Sequence, residues 1–136
     1  MSRSGYVDDI CDDILAYGRY RGRLASAIRG KRGQKFLKEL AAAMDAMPEK
    51  VLISGELINE DGDCCAIGVV CKSRGLSVDG VDPEDYDQVA DLVDISSELV
   101  REIEYENDED CWGLSESSRE RWIYMRKWVQ RHIRDA

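Results

Sequence analysis

At 136 residues and 43% hydrophobic content, the chain is long enough to bury one domain core and too apolar for a disordered tail. No apolar run reaches the roughly 18 residues of a membrane span, and the opening MSRSGYVDDICDD lacks a secretory hydrophobic stretch, so a cytoplasmic protein with no membrane partner is expected. The net charge of −9 weighs against a nucleic-acid-binding domain, which is usually basic.

That charge is unevenly spread. Residues 1–50 carry +3, residues 51–117 carry −16, and residues 118–136 carry +4. Between Arg19 and Lys38 stand eight bases and no acid. The chain is thus an acidic middle between two basic ends. It has no low-complexity linker and no internal repeat, so residues 1–136 are expected to form a single domain, with 1–18 as a peripheral N-terminal helix.

Val7, Ile10, Cys11, Ile14 and Leu15 recur at helical spacing and predict a helix over 5–17. Gly18 and Gly22 predict a break. Tyr20, Leu24 and Ile28 predict a second helix ending at Gly30, with Lys31-Arg32-Gly33 as the corner. A third helix is expected from Gln34 to Met47, where Phe36, Leu37, Leu40, Ala41, Met44 and Met47 share one face and Pro48 marks the end. Its other face would turn Gln34, Lys35 and Lys38 to solvent.

Residues 51–66 read as a short β-hairpin about Glu60-Asp61-Gly62, since Asp-Gly favours a tight turn. Cys65–Arg74 reads as a helix closed by Gly75 and buried through Ile67, Val70 and Cys71, with a third strand as the alternative. Asp82-Pro83-Glu84 is a helix start, with Tyr86, Val89, Ala90 and Val93 inside. The pattern resets at Asp94-Ile95-Ser96, and Ile95, Leu99 and Ile103 carry a helix to Tyr105, followed by a loop over 106–113. Ser117 and Glu120 have capping-box spacing before a last helix to Ile133, whose stripe is Trp122, Met125, Val129 and Ile133. Trp112, Trp122 and Trp128 read as core residues, with Trp128 and Tyr124 open to an anchoring role at the surface. The expected fold is mainly α with a small β-hairpin (α+β): about six helices in one compact domain.

Few residues could carry chemistry. The five cysteines, an odd count without a secretory signal, predict reduced thiols. Cys65-x5-Cys71 and the lone His132 lack the paired spacing of a zinc site, and the acidic run Glu106–Asp110 lacks the EF-hand register, so no metal and no cofactor is expected. Cys65, at a proposed helix N-terminus, is the one candidate nucleophile, but His132 is the only histidine to serve it and the reading is of a non-enzyme with no catalytic residues.

Two charged features remain. The basic corner offers Arg29, Lys31, Arg32 and Lys35 to a phosphate or an acidic partner, with glycines that let backbone N–H groups face an anion. It is no P-loop, because Gly30-Lys31 is followed by Arg32. A helix-turn-helix reader of DNA is the competing reading. A solvated turn balancing the protein's own acids is the plainer one. Glu98, Glu102 and Glu106, spaced four apart with Asp108 beyond them, would line one helix face and present carboxylates to a basic partner, or be a solubilising surface.

Several strings together carry a resemblance: SAIRGKRGQKFLKEL (26–40), MDAMPEK (44–50), CAIGVVCKSRGL (65–76), DPEDYDQVADLVDI (82–95), EIEYENDE (102–109) and RERWIYMRKWV (119–129). Over roughly residues 19–133 the chain resembles small proteins of unassigned function carried by bacteriophages, prophages and plasmids. The pairing of a Cys-Ala-Ile-Gly helix with a later Asn-Asp also resembles a wider group of bacterial domains. The resemblance implies a bacterial host cell. It implies a non-enzymatic inhibitor or modulator of a host protein, in defence or nucleic-acid handling, anti-CRISPR-like in mode. Direct nucleic-acid binding through 19–38 is the alternative.

Overall fold

The computed structural model describes residues 14–110 and 117–134. Six α-helices and one π-helical turn pack around a single apolar core. The first helix, α1 (Ile14–Arg29), runs unbroken through Gly18 and Gly22, where a break was expected. Two isolated glycines cost about 1 kcal/mol each in a helix. Burial of Tyr20 and Leu24 on the same helix outweighs that cost. The part of the expected helix over 5–13 lies outside the described residues.

Helix α2 (Lys31–Asp45) begins three residues before the expected Gln34, so the corner shrinks to Gly30 alone. Its buried face is Phe36, Leu37, Leu40, Ala41 and Met44, as the spacing predicts. The close approach of α1 and α2 depends on Gly33, where a Cβ would lie 1.9 Å from the Ala27 carbonyl oxygen.

The hairpin is not formed: among the described residues there is no strand, only an antiparallel bridge between Ile58 and Cys64. The turn exists, with Asn59 Oδ1 accepting from the amides of Asp61 and Asp63 and Gly62 at φ +83°. Asn59 N–H to Asp63 O at 2.9 Å and Cys65 N–H to Leu57 O at 3.0 Å form that bridge, and the pairing stops there: Leu52 N–H donates to Ser118 O at 3.0 Å and Ala66 already begins the next helix.

Helix α3 (Ala66–Ser73) is the centre of the molecule. Ala66 through Cys71 are all buried, and Gly75 at φ +70° follows its end. It lies against α2 and against α5 (Ser97–Tyr105). Leu57 O sits so close to Gly68 that a Cβ there would meet it at 1.9 Å. Helix α4 (Tyr86–Val93) starts later than expected. Asp82 instead caps a preceding turn, accepting from Glu84 N–H at 2.9 Å, and Asp85 takes the helix cap by accepting from Gln88 N–H at 3.1 Å. Asp94, at φ 61°, turns the chain into α5, capped by Ser96.

Where a loop from 106 was expected, α5 passes directly into the π turn Glu106–Asp110. Helix α6 (Ser118–His132) begins as predicted, with Ser117 Oγ accepting from Glu120 N–H. Met125, Trp128 and Val129 are buried, so Trp128 is a core residue, while Tyr124, Trp122 and Ile133 are half-buried. Trp112 lies outside the described residues. No helix among them is long and apolar enough to cross a membrane.

Candidate binding surface

The acidic row and the basic stretch meet within one molecule. Helix α1 packs on α5. There Arg23 Nε donates to Glu98 Oε2 at 3.1 Å, and Arg21 Nη1 to Glu102 Oε1 at 3.3 Å. Glu106 accepts from the Tyr124 hydroxyl on α6 at 3.0 Å. The expected acidic face is therefore corrected: Glu102 and Glu106 are 7% and 5% exposed, Glu98 is half-buried, and Asp108 accepts from Asn107 Nδ2. Spacing of four residues put these acids on one face, and that face points inward. Tyr20, beside Glu102 and donating to the Glu98 carbonyl, has its phenol pushed well above the usual range, chiefly by burial.

The basic corner divides in two. Arg29 faces a cleft between α1 and the end of α6, together with Arg21, Arg131 and Arg134. Lys31 and Arg32 face the other way, toward Ser96 and Leu99, and Lys35 shares with Arg32 a shallow depression bordered by Glu39, Arg74 and Asp94. Arg29, Lys31, Arg32 and Lys35 are exposed, and only Arg32 has an ion pair among the described residues, to Asp94 at 3.4 Å. Both members of that pair are more than half exposed, so it holds the arginine weakly. The one-residue junction at Gly30 is shorter than the turn of three or four residues in a helix-turn-helix.

Gln34, expected in solvent, is instead a clasp. Its Nε2 donates to Ile28 O at 2.7 Å and to His132 O at 2.8 Å, and its Oε1 accepts from Arg134 N–H at 2.7 Å. These are the carbonyls that helix C-termini leave without partners. One amide thus ties the ends of α1 and α6 to the start of α2.

Asn107 is a second hub, 1% exposed in the π turn. Its Oδ1 accepts from Ala66 N–H, the first amide of α3, at 3.1 Å. Its Nδ2 donates to Ile53 O at 2.9 Å, and its carbonyl accepts from Arg121 Nε on α6 at 2.7 Å. The Cys-Ala-Ile-Gly and Asn-Asp strings thereby touch. Cys65, the candidate nucleophile, is 1% exposed and stands at the N-cap position of α3 with no capping bond from its side chain. Burial pushes the Cys64 thiol up, and that of Cys71 to about 11. His132 lies at the far end of α6, its Nδ1 at 2.7 Å from Trp128 O. Among the described residues no group of three or more His, Cys, Asp or Glu could hold a metal ion.

No family model matches the chain, and neither a curated protein nor a solved structure matches it.

Proposed function

We propose that this chain is a non-enzymatic binding protein of a mobile genetic element that occupies a host protein, and that Lys31, Arg32 and Lys35 are its contact surface for an acidic patch. One observation carries the choice of surface. The row Glu98, Glu102 and Glu106 is turned inward against Arg21, Arg23 and Tyr124, whereas Lys31 and Lys35 stand exposed with no ion pair among the described residues. Exposed cations of this kind govern association rate and specificity more than raw affinity. The host-directed role comes from the resemblance to phage, prophage and plasmid proteins.

The test is capture from bacterial lysate on the tagged chain, with and without nuclease, followed by mass spectrometry. A specific protein retained after nuclease and released by salt is expected, and Lys31→Glu with Lys35→Glu weakens its binding at least tenfold. Glu98→Gln leaves it unchanged. Capture that disappears with nuclease moves the function to direct nucleic-acid binding. A complex indifferent to the lysine pair refutes the surface.

A further inference from the structure

We propose a second site, independent of the partner surface: the cleft between α1, α5 and the end of α6 binds a phosphate group. The cleft has a volume of about 240 Å³ and is lined by Arg21, Arg29, Arg131, His132 and Arg134, with Glu102 as the one carboxylate among the described residues. Glu102 is already engaged by Arg21 at 3.3 Å. The C-terminal ends of α1 and α6 each bring about half a negative charge. Four guanidinium groups exceed these together, and the described residues of the cleft keep a net of about two positive charges. That matches a dianion.

The geometry is held in advance of any ligand. Gln34 bonds the Ile28 and His132 carbonyls, in the last turns of α1 and α6, and the Arg134 amide, which fixes the Arg134 backbone at the mouth of the cleft. It also relieves the carbonyl ends that would oppose an anion. His132 lies against Trp128 with ring centroids 4.3 Å apart and donates its Nδ1–H to Trp128 O, which holds the ring in place on the wall of the cleft. Arginine is the side chain best suited to planar, two-pronged contact with phosphate oxygens. The volume is below the roughly 300–1,000 Å³ of sites for drug-sized molecules. The ligand is therefore inorganic phosphate or the phosphate end of a small ester.

Isothermal titration calorimetry of the full chain, with ionic strength held by chloride, tests this with inorganic phosphate and ribose 5-phosphate as probes. Saturable 1:1 binding is expected. Equal affinity for both assigns the free anion, and tighter binding of the sugar phosphate assigns an ester. The double variant Arg131→Gln, Arg134→Gln, at exposed positions and checked for unchanged circular dichroism, weakens binding at least tenfold. Lys31→Gln with Lys35→Gln, on the other side of the corner, leaves it unchanged, which separates this site from the partner surface. No saturable heat with either probe overturns the proposal. So does a double arginine variant that binds like the parent, or equal loss from the lysine pair.

Discussion

Replacing Asn107 by alanine tests the internal frame of the molecule. The substitution removes the acceptor of a buried amide, Ala66 N–H, and the donor to Ile53 O, which is partly buried. A buried donor left without a partner costs about 1–3 kcal/mol, and the lost bond to the carbonyl about 1 kcal/mol more. The expected loss is about 2–4 kcal/mol, a large share of the about 5–15 kcal/mol that stabilises a domain. With a urea dependence of about 2 kcal/mol per molar, the midpoint falls by about 1–2 M. Urea titration followed by tryptophan fluorescence reads it, since Trp128 is buried. Asn107→Asp gives a sharper result. It keeps an acceptor for Ala66 N–H but sets a carboxylate oxygen against Ile53 O and Asp108 Oδ1, where Nδ2 now donates at 2.9 and 2.7 Å. It is at least as destabilising as alanine at pH 7 and recovers as the carboxyl is protonated. A midpoint lowered by under about 0.3 M in the alanine variant refutes the role of Asn107 as a hub, because it corresponds to less than one ordinary hydrogen bond.

Two glycine-to-alanine changes should have opposite signs. Gly33→Ala drives a methyl into Ala27 O and costs about 1–3 kcal/mol or more, whereas Gly18→Ala meets no atom of the described residues within 4 Å and gains about 0.5–1 kcal/mol, both read from thermal midpoints. Cys64, Cys65 and Cys71 are buried and should react with a disulfide reagent at neutral pH only after unfolding; a fast Cys65 would restore the enzymatic reading. The hydrogen bonds from Arg74 and Arg126 hold Glu39 and Asp45 below their ordinary values of 4.5 and 3.8. The stability from these pairs is thus complete above those values and lost as pH falls through the lowered ones. Both pairs lie at the surface, with Asp45 more than half exposed and Glu39 half-buried, so each contributes under about 1 kcal/mol. Arg126→Gln should shrink the difference in urea midpoint between pH 7 and pH 3.

Periodicity made α2 and α6 legible, because their apolar residues recur at one helical face and Pro48 and Ser117 punctuate their ends. It misled at Gly18 and Gly22, where a local breaker signal lost to packing of Tyr20 and Leu24 that sequence distance conceals. The acidic row shows the same limit in its clearest form. Spacing of four residues establishes that Glu98, Glu102 and Glu106 share a face, but whether it turns outward depends on Arg23 and Arg21, 75 and 81 positions away. Gln34 gave no signal at all, since its role exists only where three helix ends converge. Asn107 had one signal, the pairing of its string with the Cys-Ala-Ile-Gly helix.

The placement of the few bases in the acidic middle explains why net charge is a poor guide to this surface. Residues 51–117 contain only Lys72, Arg74 and Arg101, and each is used inside the fold. Lys72 donates to Gly62 O at 3.1 Å, and Arg101 lies 4.6 Å from the Tyr86 ring. Arg74 does the most. Its guanidinium forms a two-pronged pair with Glu39 at 2.7 and 2.8 Å, donates to Val93 O at 3.0 Å near the end of α4, and lies 6.0 Å from the Phe36 ring. Three elements meet on one side chain. Arg74→Ala should therefore cost about 2 kcal/mol: up to about 1 for the ion pair, and about 1 for the carbonyl bond and ring contact. Glu39→Ala removes only the pair and should cost about 0.5–1 kcal/mol. Equal losses in the two variants would mean that the pair is all Arg74 supplies. The predicted inequality would mean that this arginine is a structural joint.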